Sequence, residues 1–125
     1  MKKLLITLLL ISPFSFANSL PNWGDVYYCQ MSSFVETDED GTVKQFKLER
    51  FQFKLDNSEQ AMVFGNSGYL KGTKLKLADW AKDLPENRWD ASWQFSIAKF
   101  REGKFLVASV YPDLIVSITA DCEKF

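Results

Sequence analysis

Apolar residues at every second position constrain this chain more than any other feature. In "DLIVSITADC" one face of the segment carries Leu114, Val116, Ile118, Ala120 and Cys122. The residues between them are mostly polar, which is typical of a strand with one face buried in a core. Because the same period recurs along most of the chain, the sequence predicts an all-β fold.

Turn-forming residues separate the strand-like segments at short intervals. Asp40-Gly41 is typical of the tip of a hairpin, and Arg101–Lys104 and Pro112-Asp113 have similar turn chemistry. We count seven or eight strands with no helical crossover between them. The sequence therefore predicts a single small antiparallel β-barrel or sandwich.

Two strand-like segments carry further information about packing. In "VKQFKLERFQFKL" the apolar parity changes near Glu49-Arg50, which indicates a β-bulge or a bend between sheets. In "ASWQFSIAKF" the parity predicts one strand with Trp93, Phe95 and Ile97 on its buried face. The many large rings of the chain predict a filled barrel interior rather than a deep ligand cavity.

The first seventeen residues, MKKLLITLLLISPFSFA, have the layout of a secretory signal peptide. Two lysines precede an apolar run, and Ser15 and Ala17 are the small residues that a signal peptidase reads. The run is shorter than the ~20 residues that a transmembrane helix needs. We therefore predict that residues 1–17 are cleaved and that residues 18–125 are exported as one soluble β domain to the periplasm or the medium.

The chain contains two cysteines, Cys29 and Cys122. In an oxidising compartment such a pair usually forms a disulfide. A redox pair would have C-x-x-C spacing, and a zinc site needs four ligands, which two cysteines in a chain without histidine do not readily supply. We predict that a Cys29–Cys122 disulfide joins the first strand to the last, and we predict no metal and no cofactor.

The sequence carries no recognisable catalytic apparatus. A chain without histidine cannot use a Ser-His-Asp triad, and its net charge of −1 gives no support to nucleic-acid binding. The acidic turn that begins at Glu36 resembles a calcium-binding loop, but Lys47 stands where a bidentate glutamate is required. A glycan-active enzyme that works through two carboxylates remains open, because the tryptophan-bearing connection carries Asp79, Asp83, Glu86 and Asp90.

The connection from Leu77 to Trp93 is the strongest site candidate in the sequence. Apolar residues at helical spacing up to Leu84 predict a short helix between strands, which would either plug the barrel end or carry a site. Tryptophan and arginine are enriched at interface hot spots. We therefore predict a non-enzymatic binding domain whose partner is a protein or an envelope glycan, with a binding surface formed by Trp80, Lys82, Arg88 and Trp89.

A few positions resemble the small periplasmic lysozyme-inhibitor barrels. The resemblance is carried by "YYC" ending at Cys29, by Ser67-Gly68-Tyr69, and by Cys122 near the end of the chain. It implies a β-barrel that inhibits a cell-wall hydrolase. The serine-and-lysine inhibitory signature of that family is missing, so the resemblance assigns no inhibitory residues to this chain.

Overall fold

A computed structural model of the chain describes residues 22–77 and 88–125, except for the side chain of Arg88. The described residues form nine strands: β1 (Val26–Asp38), β2 (Val43–Gln45), β3 (Arg50–Asp56), β4 (Ala61–Phe64), β5 (Lys74–Leu77), β6 (Arg88–Trp93), β7 (Ser96–Arg101), β8 (Lys104–Val110) and β9 (Leu114–Lys124). Strands β3 to β9 pair in sequence order, and β1 pairs with both β3 and β9. The all-β prediction is confirmed, and the architecture is a closed eight-stranded antiparallel barrel with β2 as an extra strand beside β1.

Some sequence predictions concern residues that lie outside this description. They are the signal peptide at residues 1–17 and the short helix that would follow Leu77. Residues 22–77 and 88–125 contain no helix, and therefore none that is long and apolar enough to cross a membrane.

The two ends of the barrel are built from different connections. At the upper end lie residues 46–49, the loop 65–73, the turn 94–95 and the connection 111–113. At the lower end lie residues 22–25, the turns 57–60 and 102–103, the end of β5 and the start of β6. The amide of Phe125 donates to the carbonyl of Val26 at 2.8 Å, so the last described residue also lies at the lower end.

Aromatic rings fill the barrel between these ends. Phe53 is 1% exposed, and its ring centroid lies 5.2 to 5.6 Å from those of Tyr27, Phe64, Phe100 and Phe105. Stacked, tilted and edge-on ring contacts at these distances add to the stabilisation from burial alone. The predicted filling of the interior by large rings is confirmed for this part of the barrel.

Strand β1 closes the barrel and carries the disulfide. Cys29 lies directly opposite Cys122 on β9, and the two cysteines form the predicted bond. Further along β1 the register with β9 shifts between Met31 and Ser33. This bulge moves the inward face from odd positions to even ones, so that Phe34 is buried in the interior.

The parity change near Glu49-Arg50 corresponds to a break in the predicted long strand. Strand β2 ends at Gln45 and β3 begins at Arg50, and both pair with β1. The amide of Phe46 donates to the carbonyl of Phe34 at 2.9 Å, which keeps the break close to β1. The residues between the strands form an irregular connection rather than a crossing to a second sheet.

The prediction of one strand through "ASWQFSIAKF" was wrong. Strands β6 and β7 form a hairpin in which Trp93 pairs with Ser96, and the two-residue turn between them is Gln94-Phe95. Gln94 adopts a positive φ of 53°, which lets the chain reverse within two residues. Trp93, Phe95 and Ile97 are all exposed, although the alternation had placed them on one buried face. The reversal puts Ile97, opposite Ser92, on the outer face and leaves Trp93 and Phe95 at the upper end of the barrel.

Candidate functional site

The upper end of the barrel holds an open cavity of about 730 Å³. Its apolar lining consists of Phe34, Phe46, Tyr69, Tyr111, Pro112, Leu114 and Val116. Its polar and charged lining consists of Glu36, Lys47, Glu49 and Asp113. Both the volume and the mixture of an apolar wall with a few polar groups are typical of small-molecule sites, which occur in the mouths of β-barrels.

Three rings form one wall of the cavity. Phe34 is buried on the inward face of β1, and its ring centroid lies 4.9 Å from that of Phe46 and 5.0 Å from that of Tyr69. Phe46 and Tyr69 are each partly exposed towards the mouth. The wall therefore exposes the rings of Phe46 and Tyr69 to solvent, and both pack on Phe34, which is part of the core.

The loop 65–73 fixes the position of Tyr69. The carboxylate of Glu49 accepts a hydrogen bond of 2.8 Å from the amide of Tyr69, which ties the loop to the connection before β3. Gly68 has a φ of +84°, and a Cβ at that position would lie 2.8 Å from Glu49 Oε1. The positive φ favours glycine here, and a side chain at this position would also displace the Glu49 carboxylate that holds the loop.

A pair of tyrosines spans the cavity from the loop to the connection between β8 and β9. The hydroxyls of Tyr69 and Tyr111 lie 3.5 Å apart. Burial, the hydrogen bond to Tyr111 and the negative charge of Glu36 together raise the pKa of Tyr69 to about 12. The phenol is therefore protonated at neutral pH and can donate a hydrogen bond to a ligand.

Carboxylates dominate the charge of the mouth. Glu36 lies on β1 opposite Val116, is half-buried, and makes no hydrogen bond or ion pair through its carboxylate within the described ranges. Asp113 is exposed on the connection between β8 and β9, and its backbone carbonyl accepts a hydrogen bond from the amide of Glu39. Of these groups, Glu36 is the one best placed to interact with a molecule inside the cavity.

Of the site residues predicted from sequence, Trp89 is the one whose side chain the structure describes, and it is not part of the cavity lining. Trp80 and Lys82 lie outside the described residues, and Arg88 begins β6 at the lower end with its backbone paired to Arg101. Trp89 is 9% exposed, and its ring packs edge-on against Trp23 with centroids 4.8 Å apart. The indole nitrogen of Trp89 is buried, and no hydrogen-bond partner for it lies among the described residues.

The carboxylates considered for a glycan-active enzyme are only partly described. Asp79, Asp83 and Glu86 lie outside the described residues. Asp90 is 1% exposed and forms an ion pair of 3.1 Å with Lys99. Asp90 therefore has a structural counter-charge, unlike the carboxylate of Glu36.

The acidic turn considered for calcium is a hairpin turn, as the sequence favoured. Oδ1 of Asp38 accepts hydrogen bonds of 2.9 Å from the amides of Asp40 and Thr42, and Gly41 has a φ of +86°. The Asp38 side chain is thus used to cap the turn. Among the residues that the structure describes, no group of three or more histidine, cysteine or acidic side chains could hold a metal ion.

Sequence reasoning missed the cavity although two signals lay beside it. The parity change near Glu49-Arg50 marks the connection that carries Phe46 and Lys47 into the lining. The segment Ser67-Gly68-Tyr69, noted for a resemblance, carries Tyr69 into the same wall. Neither of these sequence patterns indicates the direction in which the side chains of an irregular segment point.

The lining comes from parts of the chain that are distant in sequence. Phe34 and Glu36 on β1 meet Leu114 and Val116 because β1 pairs with β9 when the barrel closes. A site built in this way leaves no short motif in the sequence. No protein-family model, no curated protein and no solved structure matches this chain.

Proposed function

We propose that this protein is an exported, non-enzymatic binding protein and that its ligand site is the cavity at the upper end of the barrel. The observation that carries the proposal is the open, aromatic-lined volume of about 730 Å³. Pockets of roughly 300 to 1,000 Å³ bury most of a small ligand. The rigid core beneath Phe34 supports such a site, because a preformed wall lowers the entropic cost of binding.

The chemistry of the lining favours binding over catalysis. The chain has no histidine, which removes the commonest general base. The carboxylate of Glu49 is already occupied by the amide of Tyr69. The remaining groups can orient a ligand through hydrogen bonds and charge.

Export is part of the proposal because of the cysteines and the N-terminal sequence. The Cys29–Cys122 bond is the pairing expected in an oxidising compartment. Residues 1–17 have the signal-peptide layout described above. The proposed location is the periplasm or the extracellular medium.

A neutral apolar dye tests the ligand site. N-phenyl-1-naphthylamine should bind to oxidised residues 18–125 and fluoresce more strongly in the cavity. Leu114→Trp places a large ring in the lining and should weaken dye binding at least tenfold. Ile115→Trp is the matched control, because the next residue of β9 is exposed and does not line the cavity.

Both variants must first show the cooperative thermal unfolding of the parent protein. Equal dye binding by folded Leu114→Trp and Ile115→Trp would show that the dye binds elsewhere. Absence of dye binding by the parent protein would contradict the proposal directly.

Inhibition of a cell-wall hydrolase is a second candidate function. It is favoured by the position of Ser67-Gly68-Tyr69, which is an exposed loop segment at the cavity mouth. A loop held in place by Glu49 would suit insertion into the cleft of a partner enzyme. Muramidase assays with and without the protein test this, and an unaffected panel of enzymes would remove it.

A further inference from the structure

The charge around the cavity mouth indicates which class of ligand would bind. Glu36, Glu49 and Asp113 contribute three carboxylates to the lining, and Lys47 is the one basic side chain among the described lining residues. An apolar wall below an acidic rim is complementary to a molecule with an apolar body and a positive end. We propose that the cavity binds cationic amphiphiles, meaning ammonium compounds with an alkyl or aryl body; this inference rests on the proposed binding function.

Glu36 is the residue that would hold the positive end. It follows Phe34 on the inward side of β1 and lies opposite the buried Val116, so its half-buried carboxylate adjoins the apolar wall. Lys44 lies opposite Glu36 in the register of β1 and β2, but within residues 22–77 and 88–125 no basic side chain or donor forms an ion pair or a hydrogen bond with that carboxylate. A half-buried charge without a partner gains more from a bound cation than an exposed charge does, because screening by water is weaker there.

The aromatic wall also suits a cation. Ammonium groups are attracted to the faces of aromatic rings within about 6 Å of the ring centroid. Phe46 already has such a neighbour, since the ammonium nitrogen of Lys44 lies 5.7 Å from its ring centroid. The rings of Tyr69 and Tyr111 line the same cavity close to the acidic rim and offer further faces to a ligand cation.

An anionic amphiphile would meet the opposite situation. Its head would approach the half-buried carboxylate of Glu36, whereas Lys47 is exposed to solvent, where its attraction is screened. Like-charge contacts of this kind are a common means of excluding a wrong ligand. The preference should therefore run from ammonium through a neutral head to a carboxylate.

Displacement of N-phenyl-1-naphthylamine by three probes tests this order. Decylammonium, 1-decanol and decanoate have similar apolar bodies and differ in the charge of the head. At low ionic strength decylammonium should displace the dye at a concentration at least tenfold below that of decanol, and decanoate should be the weakest. Added salt should narrow the difference between decylammonium and decanol.

Substitutions of the carboxylates at the cavity mouth test whether these residues cause the preference for an ammonium head. Glu36→Gln should reduce the ratio of decylammonium to decanol affinity about tenfold. Asp113→Asn, at an exposed position where asparagine has the same turn chemistry, should reduce it less. Glu39→Gln is the control, because Glu39 is exposed at the same end and does not line the cavity. Each ratio is measured within one variant, so a small loss of stability does not alter its meaning.

The outcomes separate this inference from the proposed function. If decanol displaces the dye but decylammonium is no better, the cationic class is wrong and the binding site stands. If Glu36→Gln and Glu39→Gln change the ratio equally, Glu36 is not the anchor and the inference is overturned. If the parent protein does not bind the dye, the proposed function and this inference fail together.

Discussion

Loss of the Cys29–Cys122 bond should reduce the stability of this protein more than most single changes in its core. The bond joins cysteines separated by 93 residues, so it closes almost the whole described chain into one loop. The loss of loop entropy in the unfolded chain corresponds to about 4 to 5 kcal/mol of stabilisation. Because the two cysteines face each other in the register of β1 and β9, native hydrogen bonds hold the strands together without it.

Urea unfolding followed by tryptophan fluorescence measures this contribution. The oxidised protein, the reduced protein and the Cys29→Ala/Cys122→Ala variant should be compared under the same conditions. The free energy of unfolding should fall by about 4 to 5 kcal/mol on reduction, and the melting temperature by roughly 20 °C. The m-value should rise, because the unfolded chain without the bond exposes more surface.

The reduced protein distinguishes the contribution of the disulfide bond to the free energy of unfolding from the contribution of the packing of the sulfur atoms. It keeps both sulfur atoms, so any further loss in the double alanine variant reports the space left at Cys29, which is 4% exposed. A loss below about 2 kcal/mol on reduction with an unchanged m-value would refute the entropic reasoning.

Three further predictions concern the core, a buried charge and a tyrosine. Phe53→Ala removes a ring that contacts four others and should lower the free energy of unfolding by about 3 to 5 kcal/mol in the same urea assay. Lys99→Met removes the ion pair of the buried Asp90 and should cost about 1 to 3 kcal/mol; in Lys104→Met the partner is exposed, and the cost should be below about 1 kcal/mol. Burial raises the pKa of Tyr27 from its ordinary value of 10 to about 12. The folded state therefore retains a proton that the unfolded state loses, so this contribution to stability is complete below pH 10 and disappears as the pH rises to about 12. Tyr27→Phe should flatten that part of a stability-versus-pH curve, and an unchanged curve would contradict the assignment.

The strands that form most of the barrel could be predicted because their signals are local. In β9 the alternation from Leu114 to Cys122 matches the burial along the strand, and Asp40-Gly41 forms the turn that its residue types predict. The disulfide followed from the number of cysteines and the inferred compartment. These conclusions needed no knowledge of which strands are neighbours.

The hairpin between β6 and β7 shows why some side-chain directions could not be predicted. Apolar residues continue at odd positions through Trp93, Phe95 and Ile97, but the turn lies in the middle of this run. Residues paired across a hairpin share a face, so Trp93 shares a face with Ser96 and Ile97 lies on the other side. Gln94-Phe95 has none of the usual turn residues, and the alternation therefore conceals the reversal.

The cavity could not be predicted because its lining depends on connections rather than strands. Tyr69 lies in the loop between β4 and β5, where its amide donates a hydrogen bond to the carboxylate of Glu49. Phe46 and Tyr111 come from two other connections. Only the closed barrel brings these three rings to the same end.

The hydrogen bond between Phe125 and Val26 has a practical consequence for handling the protein. It holds the carboxyl end of the chain beside the start of β1, at the end of the barrel opposite the cavity. A peptide added after Phe125 and fixed to a bead or sensor surface would therefore orient the barrel with its mouth towards the solution. Immobilised in this way, the protein could be used to test the proposed binding function against cell extracts, because every attached molecule would present the same open face.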